Sequence, residues 1–349
     1  MQIIVGALRR VGVGLCAMTL LGILALGNVG SVWAAAVCSD TPGVGDWILC
    51  EENDDSLLQI DARGVTIETT SSNTHGVRSR HTGTGNSAIV VRTAPDPQNP
   101  GLVKLSTITT GGNNAHGIYG HRSGGSGLVQ INVNKAKITT TGLQADGVNG
   151  LFQGDGIFRT TVRDSSIVAQ GQRSASIFGR HFKSGHIQIN VRNTKIETRS
   201  TAVDSDGRTT AHGIWGWISR PEGTGNIDID VLGGLFETAG TVSHSIVGQH
   251  PGTGDVEMDI LLDASVVTEG RQAYGILGWQ QQNGSVDLNI RGTTVNTKST
   301  QVGTNGRTSA HGIFGVVQNP ANTGDLAIKV QDSSIETAGI ASNGVYGLN

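Results

Sequence analysis

The best cluster for acid–base chemistry in the chain is Asp204, Asp206 and Arg208 in "RSTAVDSDGRTTA". Two neighbouring carboxylates with a guanidinium are the equipment of polysaccharide-cleaving sites, where carboxyl groups shuttle protons or attack and a cation neutralises charge. A sister stretch, "KSTQVGTNGRTSA", keeps Arg307 but has Gly303, Thr304 and Asn305 where the acids would be. Only the arginine recurs, as expected of a solvated loop. Serine is plentiful, yet no Gly-x-Ser-x-Gly elbow is present to expose one as a nucleophile.

Histidine offers a second kind of chemistry. His75, His116, His212, His244 and His311 occupy one column of a repeat, shared with Asp146, Ala175, Tyr274 and Asn343. Imidazoles on adjacent repeats could share a metal ion, but Ala175 and Tyr274 interrupt the column and no third ligand recurs. The expectation is a stacked, turn-capping ladder, with no metal and no cofactor. The Gly-Gly-x-Gly-x-Asp nonapeptide of calcium-binding rolls is absent, and the Asp and Gly of "GTGDV" read as turn residues. Cys38 and Cys50, in "CSDTPGVGDWILC", are the only cysteines besides Cys16. In an oxidising compartment they would form one bridge, worth up to about 3 kcal/mol if unstrained. Free thiols or metal ligands are the alternatives.

These residues are placed by a repeat. Residues 211–240, "AHGIWGWISRPEGTGNIDIDVLGGLFETAG", return in residues 310–339 as "AHGIFGVVQNPANTGDLAIKVQDSSIETAG". Nine anchors follow from the phrase "HGI": Val77, Ile118, Val148, Ile177, Ile214, Ile246, Ile276, Ile313 and Val345, with separations of 29 to 41 residues. A second segment alternates apolar and polar residues, as in Ile187, Ile189 and Val191, the period of a strand with one buried face. A third follows, its apolar residue seven positions after the middle of the second, except from Met258 to Val266, where the step is eight. Third segment to next anchor takes ten residues except at the two long joints, where it takes eighteen, and Ile214 to Ile313 spans 99, so a three-unit repeat overlies the basic one.

Units of about thirty residues with three short strands cannot each bury a core, but stacking in register can. The fold expected is all-β, a parallel β-helix of about nine coils, forming a rod roughly 40 Å long at about 4.8 Å per coil. A β-sandwich would not require constant offsets over so much chain. Around each anchor, the residue three before is always small and the residues one before and two after are nearly always Gly, which suits a tight corner and close packing. One position after the anchor stand Tyr119, Phe178, Trp215 and Phe314 among others. If the anchor points inward, this column points outward, either as a contact stripe or sugar-stacking track or as a surface covered by loops or a bend.

Composition agrees. Of 349 residues 52 are Gly, with 15% charged and 4% aromatic. Residues 1–36 read as a signal peptide: Arg9 and Arg10, then an apolar stretch, then "VWAAA". Losing those two arginines takes the formal charge from −3 to −5, which argues against nucleic acid or anionic lipid as a partner. Residues 37–70 are expected to form an N-terminal cap with the Cys pair and first strands, and 71–349 the repeats.

A Gly-rich chain with a signal peptide, a close Cys pair and ordered recurrences of "SHGI", "AHGI", "GTGDVEMDI" and "SSIETAG" resembles the pertactin-like passenger domains of Gram-negative autotransporters. The resemblance covers nearly all of residues 38 to 349. It implies a right-handed parallel β-helix, export through the periplasm to the cell surface or medium, and secretion by an outer-membrane β-barrel, its own or separate. No barrel-like strands are present and the chain stops just after an anchor, in "NGVYGLN", so a fragment or truncated product is expected. The function implied is a non-enzymatic adhesin or interaction rod whose partner is a host or bacterial surface molecule or glycan. The contact residues expected are Tyr119, Phe178, Trp215 and Phe314 with Asp204, Asp206, Arg208 and Arg307. A polysaccharide lyase or glycoside hydrolase on the same scaffold is the alternative.

Overall fold

The computed structural model describes residues 36–38, 47–53, 56–200, 211–270, 272–298, 310–319, 324–339 and 342–349. The signal-peptide reading of residues 1–35 and the four loop residues Asp204, Asp206, Arg208 and Arg307 lie outside them. Among the described residues every regular element is a strand, and no helix is long and apolar enough to cross a membrane.

The strands stack in parallel, in two long sheets, an arrangement consistent with a parallel β-helix. One sheet has ten strands. Its register pairs the nine expected anchors in succession, from Val77 with Ile118 to Ile313 with Val345. A tenth strand, Ile48–Glu52, adds Ile48 opposite Val77 and belongs to the same column. The other sheet has sixteen strands and holds the second and third segments, fused into single long strands at Gly185–Arg199, Ile227–Ala239 and Val256–Glu269. Backbone N–H and C=O groups are paired largely from unit to unit, as a stack of units too thin to satisfy itself requires.

Constant offsets in the sequence become straight columns in space. Ile131, Thr160, Ile189, Ile229, Met258 and Leu288 line up in one, and Ile138, Ile167, Ile196, Phe236, Val266 and Val295 in another. The eight-residue step from Met258 to Val266 is a β-bulge: register shifts opposite Leu232 and Gly234, and Leu262 and Asp263 take φ of 53° and 60°. The extra residue is absorbed locally and both flanking columns stay in line. Ile89 to Ile108 spans nineteen residues because an antiparallel pair, Ala94–Pro95 with Val103–Lys104, is inserted between the second and third segments. This hairpin leaves Leu102, Val103 and Leu105 exposed.

Alternation decides what is inside. In Ile187, Ile189 and Val191, as in Ile227, Ile229 and Val231, the odd positions are buried and form one continuous core through the stack. Each such side chain contributes about 1.5–3 kcal/mol on burial. The ten-stranded sheet carries Gly two residues after most anchors because that position faces the opposite sheet across a thin interior. A Cβ on Gly150 would overlap the Phe158 ring, and one on Gly179 would come within 2.7 Å of it. Cys50 and Ser79 fill the same column in the first two units, and Ser79 Oγ is hydrogen-bonded to Ser87 Oγ at 2.9 Å.

Candidate functional site

Three side-chain arrays lie on this scaffold, and a fourth lies inside it. The first is the histidine ladder. His75 and His116 stack with ring centroids 5.1 Å apart and 4° between planes, and His212 and His244 repeat the arrangement at 5.2 Å. Each Nδ1 accepts the backbone N–H of the same position in the next unit: His116 on His75 (3.1 Å), Asp146 on His116 (3.0 Å), His244 on His212 (3.1 Å), Tyr274 on His244 (2.9 Å) and Asn343 on His311 (3.0 Å). The rings therefore cap turns, as the column suggested. Parallel rings with Nδ1 already occupied do not converge on a common point, which leaves a metal ion poorly served. Burial holds His75 down to about 3 and His212 to about 4, well below an ordinary imidazole, and burial, with His212 beside it, holds His244 well below that range too.

An interior ladder, four residues after the anchor, was not anticipated. His81, Arg122, His181, His250 and Gln280 all occupy it and all are buried. Four of them seal turn carbonyls: His81 meets Ser56 O at 3.0 Å, and Arg122 donates to Gly124 O (2.6 Å), Gly83 O (2.9 Å) and Gly85 O. His250 meets Gly225 O, and Gln280 Nε2 donates to Gly254 O. The signal was present in the sequence as a polar residue in an inward phase, visible only once the strand's alternation was extended one step past the glycine.

The second array is the outer face of the ten-stranded sheet. Tyr119, Phe178, Trp215 and Phe314 point outward from it and are half-buried rather than open. Tyr119 packs on His75 and His116, Trp215 edge-on against His212 at 4.7 Å, and Phe314 on His311 and Tyr274. Phe178 stacks on Trp215 at 4.8 Å, and Trp215 on Trp217 at 5.1 Å. Val247 and Leu277, in the same outward column, are 2% and 5% exposed. The guanidinium of Arg180 lies 4.3 Å over the Trp217 ring and 4.1 Å over Phe182. Rings stacked on one another cover each other's faces, so the column presents ring edges rather than a track of open faces.

The third array is carboxylate. On the outside of the sixteen-stranded sheet, Asp228, Glu257 and Asp287 are in register on successive strands, with Asp230 and Asp259 in the neighbouring row. A cleft of about 420 Å³ is lined by Arg159, Gln188, Asn190, Asp228, Asp230 and Glu257. Desolvation, then neighbouring carboxylates, raises the pKa of Asp230 and of Glu257, and desolvation raises that of Asp228 against a hydrogen bond from Gln188. Arg159 is tied to Gln188 at 2.9 Å, and Asn289 donates to Asp259 at 3.0 Å. The segments "IDIDV", "VEMDI" and "VDLNI" carried these acids openly, but their convergence depends on register between units about thirty residues apart.

Cys50 is buried and disulfide-bonded. The backbone of Cys38 pairs with Ile60 in the sixteen-stranded sheet, and its side chain is outside the described ones. Comparison with family models, with curated proteins and with solved structures finds no match for this chain.

Proposed function

We propose that the chain is an exported autotransporter-type passenger, folded as a right-handed parallel β-helix of nine to ten coils, that acts as an adhesin or interaction rod at a bacterial surface or in the medium. The observation that carries this reading is the chemical regularity of the rod. One rigid stack presents two extended outer faces, each built from side chains that repeat at the strand spacing, and extended faces suit distributed contact with a surface molecule or glycan. The long joints holding Asp204, Asp206, Arg208 and Arg307 would add loops along the rod. Secretion would use an outer-membrane β-barrel, its own or separate. The test is binding of the purified chain to a glycan array and to intact cells, before and after removal of residues 200–207 and 299–306. Stepwise weakening on a stack that keeps its β-sheet signal is the expected result, and an absence of binding to every glycan and cell type refutes it.

Polysaccharide cleavage is a second reading, favoured by the carboxylate cleft. Asp228 and Glu257 sit on adjacent strands, whose spacing of about 4.8 Å is near the separation of about 5–5.5 Å that retaining glycosidases use. Their raised pKa values favour a proton donor there. A polysaccharide panel scored for new reducing ends or unsaturated products tests it, with Asp228→Asn, Glu257→Gln and Asp204→Ala as variants. Turnover abolished by any of these replaces the adhesin reading.

A further inference from the structure

Charge is segregated between the two outer faces. The ten strands of the first sheet place twenty side chains outward, one and three residues after the anchor, and only one is a carboxylate: Glu51, 3.7 Å from Arg80. The same positions hold Arg78, Arg80 and Arg180. Among the described residues Arg180 has no carboxylate partner and its Nε is buried without a hydrogen bond, and burial together with nearby Arg220 lowers its pKa. Arg220 itself is only 4.0 Å from Glu222. Among the described residues, five of the nine buried polar side-chain atoms without partners lie on this face: Arg78 Nε, His121 Nε2, Asn149 Oδ1, Arg180 Nε and Trp215 Nε1. Buried unpartnered groups are rare enough in folded proteins to call for an explanation.

The aromatic groups point the same way. Phe178, Trp215 and Trp217 are stacked on one another, so they offer their edges outward. The edge is the positive rim of an aromatic ring. Ring edges and guanidinium groups together make a surface rich in positive charge and poor in acceptors, on a chain whose overall charge is negative.

We infer that the outer face of the ten-stranded sheet, centred on Arg180, Trp215 and Trp217, binds an acidic polysaccharide through its uronate carboxylates. The inference rests on the adhesin reading and names its ligand. A guanidinium packed against two rings, 4.1 and 4.3 Å from their centroids, is held in place for bidentate pairing with a carboxylate, and desolvation strengthens that pair. Arg78 and Arg80 lie three strand steps away, about 14 Å, so a repeating polyanion could engage both clusters at once. A peptide is the poorer fit, because a sheet face offers none of the backbone groups on which extended peptides rely.

The experiment uses the full exported chain with polygalacturonate as probe, its methyl-esterified form as the neutral control, and dextran sulfate and single-stranded DNA as alternative polyanions. Binding is followed by calorimetry at 50 mM and 500 mM salt. The expected result is preference for polygalacturonate over the ester, weakening at high salt, and a loss of about tenfold or more in Arg180→Gln that Arg180→Lys partly restores. Arg78→Gln, at a distance from Trp217, should weaken binding by a smaller factor and serves as the variant if Arg180→Gln does not fold. Equal binding to the neutral ester, preference for DNA or sulfate, or indifference to both arginine variants overturns the assignment. If the chain binds cells or neutral glycans but not polygalacturonate, the ligand is wrong and the adhesin reading stands; if it binds nothing, both fall.

Discussion

Acid should dismantle this stack, and the histidines set where. His75, His181 and His212 are buried, with pKa values pushed down by burial to about 3, about 4 and about 4. In the unfolded chain each would titrate near 6.5. Burial keeps the folded rings neutral, and each Nδ1 accepts a backbone N–H, from His116, Lys183 and His244 respectively. Their folded pKa lies below the unfolded one, so the stability they lend is complete above pH 6.5 and is lost as pH falls toward 4, where the unfolded chain takes up protons that the fold refuses. Each ring costs about 1.4 kcal/mol per pH unit in that window, and the three together roughly 4 kcal/mol. Two pH units then remove on the order of 8 kcal/mol, comparable with the whole stability of an ordinary domain. We expect loss of far-ultraviolet β-sheet signal with a midpoint between pH 4 and 6, preceded in hydrogen exchange by loss of protection at His116, His244 and Tyr274. In the double variant His212→Asn with His244→Asn, the amide oxygen can accept the same N–H at any pH, as Asp146 does for Ala175 at 2.6 Å. The midpoint should then fall by about half a pH unit. A stack that melts at the same temperature at pH 7 and pH 4.5, or a midpoint unmoved by the double variant, would refute the reasoning.

Three further outcomes are expected. Gly150→Ala should lower stability by about 1–3 kcal/mol in denaturant melts, because its methyl overlaps the Phe158 ring, and Phe158→Leu should restore part of the loss in the double variant. Arg122→Met should cost at least about 2 kcal/mol by the same measurement, since the carbonyls of Gly83, Gly85 and Gly124 would lose their buried donor. Non-reducing peptide mapping should find Cys50 joined to Cys38, and two free thiols would contradict the pairing.

The backbone plan was readable because parallel stacking turns sequence spacing into spatial alignment. Every anchor from Val77 to Val345, and the eight-residue step at Met258, is legible in the residue spacing alone, since a unit that drifts in register exposes its core. Ile48 escaped because "DWILCEE" has Trp47 and Cys50 where most other anchors are flanked by Gly. The side-chain arrays were harder. Whether Trp215 is open or covered depends on where His212 places its ring, a matter of rotamers rather than of strand phase. The carboxylate rows depend on three units agreeing at the same outward phase, and a search for acids close together in sequence turns instead to the loop of Asp204 and Asp206. The hairpin at Ala94–Lys104 was hidden inside a long interval that could have been accommodated at any joint.

The 99-residue interval separating Ile214 from Ile313 has a genetic consequence. At both ends the chain passes through an Ala-His-Gly-Ile corner into the same sheet column, and the neighbouring strand meets either corner with the same hydrogen-bond pattern. An unequal crossover between the two matching stretches of gene would therefore excise or duplicate three whole units without frameshift and without stranding a core residue on the outside. Isolates that differ in length by multiples of 99 residues are what such a molecule would leave behind in a population, and the length of the stack becomes a quantity that recombination can tune in steps of about 14 Å.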